Sequence, residues 1–319
     1  MSTTVREHVE DSRFEQSGDG TIGADFLYLD QSAVLAAGVL DMPAAMEAVG
    51  DAFALYELGK CRQPFKVVLR DGDDAACEQN GRFNGLFASI GSPPHAMGVK
   101  WIGSFPHNRD AGLPRASALL ILNSPQTGFP IAVMDGTLIS AVRTGAVTAL
   151  GAKFLAPRAA HKVGVVGAGV QARTQILGLM TALPQLQEIA VYNRTRAHAE
   201  ALAQECIERW NAPVVVVDSI ARAFNDADVA LTITTALKPL ICGSDIKPGA
   251  LTIQLAGHEC EFDVIAQCSK IVVDDWEVLK HRGIISPAVM QAQGKLDDGD
   301  IYATLGQLIL GHKVGREND

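Results

Sequence analysis

Hydrophobic positions follow two different rhythms along this chain. Between residues 26 and 134, short apolar runs bounded by polar or turn residues read as strands: Phe26–Leu29, Gln63–Leu69, Arg82–Ile90, Gly98–Gly103 and Arg115–Asn123. Phe129–Met134 returns after the Ser124–Gly128 turn as a hairpin partner. A helix interrupts these strands over Met42–Leu58, with Pro43 near its start, where a missing N–H costs nothing. A second helix, rich in alanine and leucine, is predicted over Thr137–Phe154. From residue 163 strand and helix alternate. Strands at 163–166, 189–192, 214–217, 229–233, 250–255 and 270–273 are separated by helices at 171–180, 197–210 and 219–225. A closing helix is expected over Ile301–Leu310, and the polar, aperiodic residues 1–24 read as a flexible tail.

The switch between rhythms falls at His161–Ile176. Val163, Val165 and Val166 make a buried strand, Gly167-Ala168-Gly169-Val170-Gln171-Ala172 is a G-x-G-x-x-A turn, and helical spacing follows. Gly167 permits a tight turn, Gly169 lets a pyrophosphate approach the backbone, and Ala172 lets the helix pack on the strand. The free N–H groups of the helix start attract the phosphates. The expected fold is α/β: a Rossmann-like dinucleotide-binding domain over 158–289, after an α+β N-terminal domain over 25–157 on which 290–319 pack back. The same rim should carry Asn193–Arg196, Thr234-Thr235 and Gly257–Glu259, since ligands sit beyond the carboxyl ends of such strands.

Composition narrows the function. Hydrophobic residues at 48% and charged residues at 20% describe an ordinary soluble globular chain, and a net charge of −9 argues against a nucleic-acid partner. The six cysteines form no C-x-x-C pair, and no signal peptide is evident, so a cytoplasmic, reducing compartment is expected. No charge-free run of about 18 apolar residues suggests a membrane span. No H-E-x-x-H, paired-cysteine or Ser-His-Asp pattern calls for a metal or a covalent nucleophile.

Three basic residues stand among small or apolar neighbours. Lys100 lies on the 98–103 strand. It either snorkels from an edge or, desolvated, exchanges protons with a substrate. Arg143, beside Ala141, Gly145 and Ala146, is a surface arginine or a bidentate carboxylate anchor. Lys66 can add a point charge. At the end of the second alternating strand stands Asn193, where NAD-binding folds usually carry an acid. A neutral residue there, followed by Arg194 and Arg196, leans toward NADP(H) over NAD; solvated arginines at a helix start are the alternative.

Gly98-Val99-Lys100, Thr127–Pro130, Ile139–Ala146, Gly167–Ala172, Asn193–Thr195 and Leu305–Gln307, taken in order, resemble the ornithine cyclodeaminase and mu-crystallin family over about residues 26–318. The resemblance implies an NAD(P)-dependent enzyme of amino acid metabolism acting on an α-amino or α-imino acid. It also implies a homodimer built through the N-terminal domain, which would be the substrate domain. Lys100–Ser104, Val272–Trp276 and Gln63–Lys66 look most like the dehydrogenases of 2,3-diaminopropionate biosynthesis. These enzymes oxidise N-(1-amino-1-carboxy-2-ethyl)glutamate and release 2,3-diaminopropionate, a siderophore building block, and 2-oxoglutarate. A cyclodeaminase, a cyclic ketimine reductase or a non-catalytic binding protein like mu-crystallin are the alternatives. Carried onto this chain, Lys66, Lys100 and Arg143 bind substrate, and Lys100 and Glu259 serve as acid–base groups. Thr144, Gly167, Ala168, Gly169, Val170, Gln171, Ala172, Asn193, Arg194, Thr195, Thr234, Thr235 and Leu255 hold the cofactor. Glu259 stands where the cyclodeaminases have aspartate, and family members continue with another strand and helix beyond the point where this chain stops.

Overall fold

The computed structural model describes residues 14–16, 22–70, 81–91, 93, 95–236 and 238–318. Most of the expected tail lies outside the described residues. Within it β1 (Phe14–Gln16) and β2 (Ile22–Ala24) pair antiparallel. The chain divides into two units, 1–39 with 60–140, and 40–59 with 141–319.

The first unit holds β3 (Leu27–Leu29), α1 (Gln31–Ala36), β4 (Cys61–Arg62), β5 (Val67–Arg70), β6 (Arg82–Ile90), β7 (Ala96–Ser104), β8 (Ala116–Asn123) and β9 (Pro130–Asp135). They form one sheet in the order β3-β9-β8-β7-β6-β4, with β5 also on β6. Only the β3–β9 pair is parallel. The strand expected at 63–69 begins at Val67, since Pro64 lacks the N–H that a ladder needs. Register sorts the side chains by face. Leu86, Lys100, Leu120 and Met134 stand in one row, on the side where Asn84, Ala118 and Ala132 are buried. The other side exposes Val67, Leu69, Phe87, Met97, Trp101 and Leu119, each at least 42% accessible.

The second unit begins with α2 (Met42–Glu57), capped by Asp41, whose carboxylate accepts from the Ala44 amide at 2.9 Å. It continues through α3 (Thr137–Leu155, from Ala141 on), β10 (Lys162–Val166), α4 (Val170–Ala182), β11 (Glu188–Tyr192) and α5 (Arg196–Trp210). Then follow β12 (Val214–Val216), α6 (Ile220–Phe224), β13 (Val229–Thr232), β14 (Leu251–Gln254), α7 (Phe262–Ala266), β15 (Ile271–Val273), α8 (Trp276–Arg282), α9 (Ser286–Ala292), β16 (Ile301–Thr304) and α10 (Leu305–Ile309). The five strands β12-β11-β10-β13-β14 are all parallel, and the order reverses at β10, as a dinucleotide-binding sheet requires. Alternation along the strands gives two cores. Val163, Val165, Ile189, Val191 and Leu231 pack with Ile176 and Leu202 on one face. Val166 and Ala230 pack with Phe224, Ile241 and Val264 on the other. Gly164 lets α6 come close, because a Cβ there would lie 2.3 Å from the Ala223 carbonyl oxygen.

The two compact units divide at 140/141, inside α3, and α2 clusters with the second unit. The closing residues belong to that unit, where Ala303, Leu305 and Leu308 pack with Met46, Val49 and Phe53 of α2 and Leu150 of α3. β15 does not extend the five-stranded sheet; it pairs in parallel with β16. Ile301–Thr304, expected as helix, is that strand, and α10 starts only where Thr304 caps it: Thr304 Oγ1 accepts from the Gln307 amide at 3.1 Å, and the Thr304 amide donates to Gln307 Oε1. Finally, α3 is long and apolar enough to cross a bilayer, at 19 residues and a mean hydropathy of 1.3. Half of its apolar stretch is buried within the protein. A Cβ on its Gly145 would lie 2.3 Å from the Thr174 carbonyl of α4, so α3 is a core helix.

Candidate active site

The glycine turn is built as the sequence requires. Gly167 has φ +117°, and a Cβ there would meet the Ile233 carbonyl at 2.4 Å, so only glycine fits. Gly169 caps α4 without any side-chain hydrogen bond, and the space where its Cβ would stand is open to 4 Å. The start of α4 thus leaves open space beside Gly169, as an anion approaching a helix N-terminus needs. Ala172 is fully buried, Val170 is exposed, and Gln171 and Ala168 are half-buried around the turn. The residues present fit a dinucleotide.

Asn193 braces this turn: its Oδ1 accepts from the Ala168 amide at 3.2 Å, and its Nδ2 donates to the Thr195 carbonyl at 2.8 Å. Arg194 and Thr195 are exposed beside it. Arg196 is engaged with Glu200, Nε to Oε1 2.8 Å.

Arg143 and Thr144 stand on α3, two positions and one position before Gly145. Thr174 Oγ1 donates to the Ala141 carbonyl at 3.0 Å, and a Cβ on Gly178 would lie 2.5 Å from the Gly145 carbonyl. The helix that carries Arg143 and the helix that opens at Gly169 thus touch backbone to backbone. Arg143 has an accessible side chain, yet its guanidinium is desolvated by surrounding protein, which lowers its pKa; Asp274 works against that shift and Arg282 with it. Accessibility to solvent together with desolvation describes a recessed group that a ligand can still reach. Asp274 and Arg282 also line a cavity of about 250 Å³ with Thr148, Gln254 and Cys260.

In the first unit, Lys100 is half-buried in its apolar row and donates from Nζ to Ser140 Oγ at 3.0 Å; Ser140 is 6% accessible. Lys66 is half-buried immediately before β5.

Glu259 departs from expectation. It does not stand open on the rim but is completely buried. Its Oε1 accepts the amide and the hydroxyl of Thr234, both at 2.6 Å, and its Oε2 faces the Ala256 amide at 3.4 Å. Burial raises its pKa against the opposing pull of these hydrogen bonds. Its neighbour His258 joins a second network. Ser286 Oγ donates to the Cys260 carbonyl at 2.8 Å and so receives Gln254 Nε2 and His258 Nδ1, each at 2.9 Å. A hydroxyl has one proton, which places the imidazole hydrogen on Nδ1. Thr235 is exposed and Leu255 half-buried at the ends of β13 and β14.

Sequence reasoning missed Ser140, Asp274 and Ser286. Ser140 was legible only as part of the 139–146 motif, and the long separations of Arg143 from Asp274 and of His258 from Ser286 give no local signal. Among the described residues no group of three or more His, Cys, Asp or Glu could hold a metal ion.

An alanine dehydrogenase from Archaeoglobus fulgidus is 37% identical over 290 residues, covering 88% of this chain and 84% of that one. The N-((2S)-2-amino-2-carboxyethyl)-L-glutamate dehydrogenase of Staphylococcus aureus is 29% identical over 306 residues, covering 92% and 88%. The structure of Thermococcus litoralis Delta(1)-pyrroline-2-carboxylate reductase, in complex with NADH and L-proline, superposes with a TM-score of 0.83 at 29% identity, covering 92% and 89%. The model of the ornithine cyclodeaminase/mu-crystallin family matches residues 29–319, and this chain belongs to that family.

Proposed function

We propose that this chain is an NAD(P)-dependent oxidoreductase acting on the CH–NH group of a small α-amino or α-imino acid. The observation that carries the reading is the backbone contact between α3 and α4, which keeps Arg143 at a set distance from the open helix start at Gly169. Thr144, Gly167–Ala172, Asn193–Thr195, Thr234, Thr235 and Leu255 hold the dinucleotide. When bound, the nicotinamide takes or gives the hydride. Arg143 grips the substrate carboxylate with its two-pronged guanidinium, and Lys66 adds a second positive charge. Lys100, with Nζ oriented by Ser140 Oγ, carries the proton to or from the substrate nitrogen or the attacking water.

Two substrates head the panel. N-((2S)-2-amino-2-carboxyethyl)-L-glutamate is favoured by Gln63–Lys66, Lys100–Ser104 and Val272–Trp276, and alanine by the 37% identical relative. The enzyme works as a homodimer through the exposed apolar face of the first unit's sheet, since a patch of that extent marks an interaction surface. Cys206, Cys242, Cys260 and Cys268 are free thiols, in keeping with a reducing cytoplasm.

Stopped-flow absorbance of the reduced nicotinamide, with each candidate substrate, tests the chemistry. Lys100→Met keeps the apolar stem and removes the charge and proton. It is expected to slow hydride transfer by about 10²- to 10⁴-fold with cofactor binding retained. A near-normal rate would remove Lys100 from the mechanism, and cofactor recycling without net absorbance change would turn the assignment to a cyclodeaminase.

A further inference from the structure

The carboxylate of Glu259 is the one acid at the carboxyl ends of β13 and β14 that is fully enclosed. Its Oε1 is occupied by two donors of a single residue, the amide and hydroxyl of Thr234, at 2.6 Å each. The chain of bonds continues, because Thr234 Oγ1 accepts from the Ala236 amide at 3.1 Å. On the other side Oε2 faces the Ala256 amide at 3.4 Å, and the Glu259 carbonyl accepts the Leu240 amide at 2.8 Å. One side chain therefore ties together the two loops that follow adjacent strands of the dinucleotide sheet. The carboxylate has no accessible surface, and its oxygens face fixed protein donors rather than an open site.

We infer that Glu259 is a positioning residue: its buried carboxylate holds Thr234–Ala236 in the conformation that receives the nicotinamide end of the dinucleotide, and the acid–base work of the reaction lies elsewhere. The inference rests on the dinucleotide-binding reading above. A carboxylate suits this place because both groups presented to Oε1 are donors, and charge-assisted acceptance from an amide and a hydroxyl is stronger than a neutral contact. A glutamate also spans the gap between the loops, which a side chain one methylene shorter would not bridge without movement of one of them.

Three variants test it, each read by fluorescence titration with NADH and NADPH and by kcat and KM across pH. Glu259→Ala leaves the Thr234 amide and hydroxyl without their acceptor and is expected to raise the dissociation constant for the cofactor about tenfold or more. Its kcat at saturating cofactor should fall less than that. Glu259→Gln supplies a neutral acceptor at the same reach. It is expected to recover most of the lost affinity, to lower kcat by less than about tenfold, and to keep every limb of the wild-type pH profile. Should Glu259→Ala not fold, Thr234→Val removes only the hydroxyl arm and is expected to weaken cofactor binding severalfold. A Glu259→Gln enzyme that binds cofactor normally but loses a limb of the pH profile, or about a hundredfold in kcat, would overturn the inference and make Glu259 a proton carrier. Unchanged cofactor affinity in both Glu259→Ala and Thr234→Val would overturn it as well. Failure of the wild-type protein to bind either dinucleotide is a different result, and it removes the functional reading itself.

Discussion

The seven-stranded sheet and the five-stranded sheet treat their two faces differently. Around β10 the parallel strands are covered on both sides by helices of the same unit, and Gly164 and Gly167 mark where the backbone of α6 and of the loop after β13 come within contact of the sheet. In the mixed sheet one face carries Asn84, Ala118 and Ala132 buried beside Lys100, while the other leaves Trp101, Leu119, Phe87 and Met97 to solvent. Parallel sheets need cover on both faces, whereas antiparallel ones tolerate one wet face, but a wet face is usually polar. The difference teaches that the parallel sheet is finished by its own chain. The mixed sheet leaves one apolar face uncovered by its own unit.

The sharpest way to break that contrast is to add one methyl group to each sheet. Gly164→Ala places a Cβ 2.3 Å from the Ala223 carbonyl and 2.5 Å from the Phe224 ring, and is expected to cost about 3 kcal/mol or more in chemical denaturation. At Gly85 of the mixed sheet the nearest atom to an added Cβ is a Phe87 ring carbon at 3.6 Å, so Gly85→Ala should change stability by less than about 1 kcal/mol. Similar costs at both positions would mean that the two sheets are packed alike.

A smaller effect, on assembly rather than folding, is expected from charging the exposed face. Trp101 and Leu119 are register partners on β7 and β8. The double variant Trp101→Glu, Leu119→Lys should raise the dimer dissociation constant about a hundredfold or more in sedimentation velocity, with the far-ultraviolet circular dichroism preserved. A wild-type monomer at micromolar concentration, or a variant that still dimerises, would leave the apolar face without its proposed partner.

The smallest effect concerns one contact at the rim of the closed sheet. Arg194→Ala is expected to weaken NADPH binding about tenfold, toward the low end for a charge-assisted contact because the side chain is exposed, and to change NADH binding by less than about threefold. Equal losses for both cofactors would take Arg194 away from the 2′-phosphate.

What could be read from the sequence follows from which signals are local. The turn at 167–172 was legible because strand, glycines and helix are contiguous, and the alternation of strand and helix after it announced a Rossmann-like sheet, though not the order β12-β11-β10-β13-β14. Lys100 was legible because one charge interrupts a period of two on an apolar strand. The pairing of β15 with β16 was not, because parallel partners separated by α8 and α9 leave no register signal. Ile301–Thr304 is a short apolar run that periodicity assigns equally to strand or helix, and only the Thr304–Gln307 spacing betrays where the helix starts. The short helices α7, α8 and α9 carry too few turns to show a clear period. Glu259 was placed on the rim correctly in chain position but not in direction, because the loop after β14 has no repeat from which the side chain's side could be deduced.

The close backbone crossing of α3 and α4 has a consequence for how such an enzyme can change. Thr174 and Gly178 on one helix and Gly145 on the other leave no slack for sliding, so a residue two positions from the crossing inherits its rigidity. Arg143 is that residue. The spacing between Arg143 and the Gly167–Ala172 turn is then a property of backbone contact, independent of the side chains around them. A lineage could exchange one amino acid substrate for another by altering side chains elsewhere, and the reach from Arg143 to the glycine turn would carry over unchanged.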